Sequence, residues 1–160
     1  MFLVAGLLVA SAAVGFVMWW NRGAHLELKG SVLKVRTLKT DEANSIAIID
    51  FRFANSADYP FVVRKVDVTL EDRSGATTES IPISDVDATR LFEYYKELGQ
   101  KYNPSLLMRA RIAPRQTLDR MIAASFALTE EKLQQRKALH VRVEDVDGAV
   151  SELVENAPAR

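Results

Sequence analysis

The N-terminal run of residues 2–20 contains no charged side chain and closes with Trp19 and Trp20, which are followed by Arg22. At about 1.5 Å rise per residue, a helix of this length reaches about 28 Å, close to the ~30 Å hydrocarbon thickness of a bilayer. Tryptophan and arginine are typical of the membrane–water interface, where we expect all three of these residues. The run therefore predicts a transmembrane anchor helix over residues 1–21.

A cleavable secretory signal is the alternative interpretation of this run, because residues 10–12 read Ala-Ser-Ala, a small-x-small cleavage pattern. No lysine or arginine precedes the run, and the run continues well beyond residue 12. We therefore favour a permanent anchor. Its small residues recur at four-residue spacing, a pattern that allows a neighbouring helix to pack closely. These helix-packing candidates are Gly6, Ala10, Ser11 and Gly15.

The charged residues all lie after position 20, and the 21 basic and 21 acidic side chains give a formal net charge of zero. This balance argues against a general nucleic-acid binder. The chain has no cysteine, which excludes disulfides, thiolate catalysis and cysteine metal sites. Residues 22–155 are expected to form one domain, because their number suits a single core. Residues 156–160 are expected to be a disordered tail.

Short segments with alternating apolar residues predict strands throughout the domain. The clearest is residues 46–55, where Ala47, Ile49 and Phe51 share one face while Ile48 and Asp50 share the other. Further strands are predicted over residues 26–40, 61–71, 77–83, 106–112, 117–128, 139–143 and 150–154. This succession predicts a mainly β fold, an antiparallel sandwich with immunoglobulin-like topology. A helix-on-sheet α+β fold is the alternative.

Two helices are predicted within the sandwich. The longer one covers residues 84–98, because Ser84 is a good N-cap, acidic residues follow it, and Gly99 is a natural stop. A shorter helix is predicted over residues 130–136. Near the end of the chain, Asp-Gly at residues 147–148 predicts a two-residue type I′ hairpin turn.

Two groups of side chains are candidates for a partner surface. Phe92, Tyr94 and Tyr95 give the longer helix more aromatic rings than one core-facing stripe requires. They therefore pack either in the core or against a partner. Arg109 and Arg111 would share one face of a strand. They would meet an acidic partner or anionic headgroups, or else form a solvated face with cross-strand ion pairs, for example to Asp119.

The sequence contains no catalytic or metal-binding pattern with the residue types and spacing that such a site requires. The two histidines, His25 and His140, do not form a paired ligand spacing. An acidic group at residues 144–147 offers oxygens for calcium, but the run is too short for a calcium loop, and a plain turn is favoured. We predict no catalytic residue, no metal site and no cofactor.

Part of the domain resembles a known family. The resemblance spans residues 46–75, with Glu71 where the family motif has tyrosine. The matching residues are Asn55, Pro60, Val66, Val68, Leu70, Asp72 and Gly75. They resemble the strand-turn-strand signature of bacterial single-span proteins with an FxLYD-like or late-embryogenesis-abundant-like β-sandwich domain. The resemblance implies an extracytoplasmic module behind a membrane anchor, and binding or assembly rather than catalysis.

Together these features predict a non-enzymatic accessory or scaffold subunit. It would be anchored in membrane lipid and would brace or link other transmembrane and surface subunits of a membrane complex. Respiratory and photosynthetic complexes are examples of such assemblies. A stand-alone anchored module for ligand binding or envelope stress is the alternative. No nucleic acid or small-molecule substrate is predicted as a partner.

The expected location is the bacterial inner membrane, crossed once. Basic residues outnumber acidic ones just after the span, and this bias favours a cytoplasmic domain. The family resemblance implies the extracytoplasmic side, which we favour.

Overall fold

The computed structural model describes residues 28–156, which form nine strands and three short helices. The strands are β1 Leu28–Lys39, β2 Ser45–Asn55, β3 Phe61–Glu71, β4 Thr77–Glu79, β5 Ile81–Pro82, β6 Arg111–Ile112, β7 Thr117–Phe126, β8 Ala138–Asp145 and β9 Val150–Asn156. The helices are α1 Asp85–Tyr94, a 3₁₀ helix Lys96–Leu98 and α2 Glu130–Gln134. The predicted membrane span, with its interface and packing candidates, lies outside the described residues.

The strands form two antiparallel sheets that pack face to face. The first sheet has the order β1-β2-β7-β5, and the second has the order β4-β3-β8-β9, with β6 paired to the start of β3. At one side β1 approaches β9, where the N–H of Leu28 donates to Ser151 Oγ at 2.7 Å. The predicted mainly β antiparallel sandwich is confirmed. Between residues 28 and 156, no helix has the length and hydropathy that a membrane crossing requires.

The main core lies between the sheets and is built from alternating positions. On β2 the inward side chains include Ala47, Ile49, Phe51 and Phe53, all fully buried. The rings of the two phenylalanines stack with centroids 5.5 Å apart. Strands β3 and β8 supply the facing layer, so the period-two pattern places the apolar side chains of both sheets together.

Part of the outer face of the first sheet is also buried, and this was not predicted. Helix α1 packs across it, and a second apolar cluster forms between helix and sheet. Its members are Leu38, Ile46, Ile48, Ala88, Phe92, Leu98, Met121 and Ala123. Strand β2 therefore has core on both faces, and Asp50 on its outer face is buried rather than solvated.

Helix α1 begins as predicted and ends early. The Ser84 side chain accepts a hydrogen bond from the N–H of Asp87, which is the N-cap geometry. The helix stops at Tyr94 because Tyr95 is extended, and the 3₁₀ turn that follows brings Leu98 back onto the second cluster. Gly99 ends that turn with φ 71°, a conformation that favours glycine. Helix α2 is similarly shorter than predicted and is capped by Thr129.

Two predicted strands are wrong in the same way, because the chain crosses between the sheets within them. Residues 77–83 divide into β4 in the second sheet and β5 in the first, with the change at Ser80. Residues 106–112 keep only Arg111–Ile112 as strand. Arg109 adopts φ 64°, which is incompatible with an extended strand, while the chain passes from β7 towards β3.

The hairpin between β8 and β9 also differs from the prediction. Gly148 has φ 87°, while Asp147 does not have a positive φ, so the turn is not type I′. The N–H of Gly148 donates to the Asp145 carbonyl, and the N–H of Asp145 donates to the Ala149 carbonyl. Residues 146–148 therefore form a three-residue loop with its glycine in the left-handed region.

Candidate functional site

The side of the sandwich opposite β1 and β9 has an opening between β3 and β5, which we call the lateral window. One end is closed at Ser80, whose N–H donates to the Val68 carbonyl at 3.0 Å. The other end is closed at Arg109, whose N–H donates to the Val63 carbonyl at 2.7 Å. The two chain crossovers frame a cavity of about 530 Å³, within the range of ordinary binding sites.

The edge of β3 that borders the lateral window lacks a partner strand. Strand β6 covers only Phe61 and Val62, and β4 covers only the last three residues of β3. Among the described residues, none pairs with positions 64–67 on this edge. Alternate residues of an antiparallel strand direct their backbone groups to the same side. Because Val68 bonds Ser80 on this edge, the N–H and C=O of Val66 also point into the window.

The interior of the lateral window is apolar. Its floor is formed by residues of β3, β5, β7 and the crossover at residues 105–108. The apolar floor residues are Val66, Pro82, Ile83, Leu106, Met121, Ile122 and Ala123. Leu107 and Met108 line the same cavity from the crossover, and these residues are 52% and 72% exposed. Large exposed apolar groups at a cavity mouth are typical of a binding surface.

The charged groups at the mouth of the lateral window pair within the chain. Lys65 Nζ lies 2.9 Å from Asp67 Oδ2 on β3. Across the opening, Lys101 Nζ lies 2.7 Å from Asp85 Oδ1 at the start of α1. The Asp67 carboxylate raises the pKa of Lys65 above its usual range. The Lys101 ammonium lowers the pKa of Asp85. The mouth therefore offers little unneutralised charge.

The Asp85 contact predicts a pH dependence of stability. A carboxyl whose pKa is lower in the folded state stabilises that state above its unfolded value, which is ordinarily 3.8. This contribution is lost as the pH falls through the lower folded pKa. Thermal unfolding of the native chain and of Asp85→Asn should therefore give melting temperatures that differ near neutral pH and converge in strong acid. A difference that does not change with pH would contradict this assignment.

The three aromatic candidates, Phe92 and Tyr94 of α1 and Tyr95 just after it, have different environments. Phe92 is buried in the second cluster, and Tyr95 is half-buried against it. Tyr94 is 79% exposed and contacts Tyr95 edge-on, with ring centroids 4.9 Å apart. Of the three, Tyr94 is the one whose ring is available to a partner.

The two arginine candidates do not share a strand face, so that prediction is wrong. Arg109 lies in the crossover at one end of the lateral window, and Arg111 lies on β6 in the second sheet. Asp119 pairs with Arg52 of the neighbouring strand, with nitrogen–oxygen distances of 2.6 and 2.7 Å. Both candidate arginines are exposed, but the structure does not bring them together on one strand.

The remaining polar candidates have structural contacts. The Asp145 carboxylate is buried and accepts hydrogen bonds from the N–H groups of Val62 and Asp147 at 2.6 and 2.9 Å. His140 lies 3.0 Å from Glu152 and 3.4 Å from Glu71 on adjacent strands. Over residues 28–156, no cluster of three histidine or acidic side chains is arranged to hold a metal ion. His25 lies outside the described residues.

The sequence prediction missed the lateral window because it treated both flanking segments as continuous strands. Pro82 was the available signal, since proline in a strand marks an edge or an interruption. Residues 106–108 were a weaker signal, because Leu-Leu-Met places three apolar residues in succession in a segment predicted to alternate.

Comparison with known proteins gives limited similarity. No known protein family matches the sequence, and no curated protein matches it. An uncharacterized beta-sandwich protein from Clostridium difficile 630 matches with a TM-score of 0.40 and 9% identity, over 81% of this chain and 86% of that one. The structure of a flagellar-like filament matches with a TM-score of 0.36 and 10% identity, over 96% of each chain. At these values the similarity is confined to coarse architecture.

Proposed function

We propose that this chain is a non-enzymatic accessory subunit of a membrane complex. Residues 2–20 cross the bacterial inner membrane once, and the sandwich, on the extracytoplasmic side, binds a partner subunit. The observation that carries the proposal is the lateral window, where an apolar floor and an unpaired backbone edge lie together. Both are features that a protein surface ordinarily hides.

The proposal includes an immunoglobulin-like topology for the sandwich. The strand order supports it: with β6 left out and letters assigned to the other strands in chain order, β1-β2-β7-β5 reads A-B-E-D, and β4-β3-β8-β9 reads C′-C-F-G. This is the arrangement of immunoglobulin domains. Helix α1 then lies between strands D and E, and the lateral window lies on the D and C′ side. The family resemblance over residues 46–75 is part of the same proposal.

Native purification of the full chain in mild detergent tests the proposed function. We expect the 17.9 kDa chain to migrate within a larger assembly. The substitution Met108→Asp places a charge at the mouth of the lateral window, and because this side chain is exposed, folding should be unaffected. We expect the variant to remain in the membrane fraction but to leave the assembly.

Val146→Asp is the matched control, because Val146 is an exposed apolar residue in the β8–β9 loop, which does not line the cavity. It should stay in the assembly. A chain that migrates alone would contradict the accessory role and support the stand-alone module. An assembly that retains the Met108→Asp variant would show that the partner binds elsewhere.

A further inference from the structure

We propose that the lateral window binds an extended, uncharged segment of the partner protein, which joins the second sheet as an added strand on β3. This inference rests on the proposed function and specifies the chemistry of its partner. Addition of a strand to an exposed sheet edge is a general mode of peptide recognition, in which main-chain hydrogen bonds supply affinity and alternate side chains supply specificity.

The backbone of Val66 selects a peptide over other apolar ligands. Its N–H and C=O both point into the lateral window, so an occupant must offer an acceptor and a donor at the spacing of a paired residue. A peptide residue offers both groups. An acyl chain offers neither, and it would leave both groups of Val66 without a partner in a space from which it had displaced water.

The dimensions of the lateral window set the length of the segment. The crossovers bond β3 at Val63 and Val68. Five steps at ~3.3 Å span at most about 16 Å, because an irregularity in the pairing of β3 between Val63 and Lys65 shortens this stretch. An added strand of four or five residues fits between them. A longer segment would meet the chain at Ser80 or Arg109.

The interior and the mouth of the lateral window determine which side chains the segment can carry. Those that face inward contact Val66, Leu106 and Ile122, so they must be apolar. Those that face outward meet two ion pairs that already neutralise each other. A charged segment would lose hydration without gaining a partner, so the segment is uncharged.

The opposite border of the lateral window does not offer an equivalent edge. Strand β5 has only two residues, and one of them, Pro82, has no N–H to donate. Proline on an edge strand discourages pairing with another chain. The added strand therefore pairs with β3.

A random heptapeptide library displayed on phage and panned against the full chain in detergent micelles tests the inference. Panning against the Met108→Asp variant removes peptides that bind elsewhere. We expect the enriched peptides to contain uncharged segments with apolar residues at alternate positions. A synthetic enriched peptide should bind at least tenfold more weakly when the amide that pairs with Val66 is N-methylated, since this removes the donor and keeps the side chains.

Hydrogen exchange supplies a second measurement that a merely apolar contact would not change. The bound peptide should slow exchange of the Val66 N–H at least tenfold, while the N–H of Asp67, which faces β8, should change little. Equal affinity of the N-methylated peptide, unchanged exchange at Val66, or no enrichment over the Met108→Asp variant would each overturn the inference. Any of these results, with co-migration in the native assembly intact, would leave the proposed function in place.

Discussion

Replacing Arg36 by alanine is expected to destabilise the sandwich by about 3–5 kcal/mol, the cost of leaving a buried charge without its partner. The Arg36 and Asp50 side chains are 9% and 4% exposed, and Nη2 lies 2.7 Å from Oδ2. Arg36 Nη1 also donates to the carbonyls of Leu98 and Gln100 at 2.7 and 2.8 Å. Asn103 donates to the other Asp50 oxygen at 2.8 Å. One guanidinium thus joins the sheet to the segment after α1.

Urea unfolding of the full chain in detergent micelles, followed by circular dichroism, measures this effect. Arg52→Ala is the control, because Arg52 lies on β2 beside Asp50 and pairs with Asp119 at an exposed site. Its loss should cost only about 0.2–1 kcal/mol. The double variant Arg36→Met with Asp50→Leu should recover most of the stability, since apolar groups of similar volume can replace a buried pair. Equal costs for Arg36→Ala and Arg52→Ala would contradict the assignment.

The substitution Phe92→Ala is expected to cost about 3 kcal/mol, the lower part of the range for truncating a buried phenylalanine. The ring is 8% exposed within the cluster between α1 and the first sheet. It also lies 4.9 Å from the Arg36 guanidinium, a distance at which the cation is attracted to the ring face. We expect the same urea unfolding measurement to show the loss, and limited proteolysis to cleave within α1 sooner than in the native chain.

Tyr94→Ala on the same helix separates core packing from partner contact. Because Tyr94 is largely exposed, its truncation should change stability by no more than about 0.5 kcal/mol. A neutral effect of Phe92→Ala would show that α1 does not unfold together with the sheets. A large loss of stability in Tyr94→Ala would show that the contact between Tyr94 and Tyr95 contributes substantially to the free energy of unfolding.

Strands with turn signals at both ends could be predicted from the sequence. The bounds of β3 agree with the prediction because Pro60 precedes it and a tight turn follows. In that turn the Asp72 carboxylate accepts from the N–H groups of Ser74 and Ala76 at 2.8 and 3.0 Å, and Gly75 has φ 88°. These bonds are local, so a few neighbouring residues determine them.

The burial of Asp50 and the lateral window could not be predicted in this way. Alternation correctly placed Asp50 and Ile49 on different faces of β2. However, α1, more than thirty residues later in the chain, determines whether the face that carries Asp50 is exposed to solvent. The window depends on Ser80 and Arg109, where the chain changes sheet, and periodicity does not indicate which sheet a strand joins. Asn55 is a similar case, since its buried amide binds Tyr59 nearby and also the distant carbonyls of Ile112 and Ala113.

The crossover at Ser80 makes β4 and β5 consecutive parts of one extended run, held by the second sheet on one side of the serine and by the first sheet on the other. The two layers cannot separate there without breaking the pairing of β4 or of β5. The lateral window beside this crossover consequently has the same width between the two sheets before and after a segment binds. A bound segment then loses conformational entropy while the sandwich loses little. The fixed opening also selects among segments by the size of their side chains.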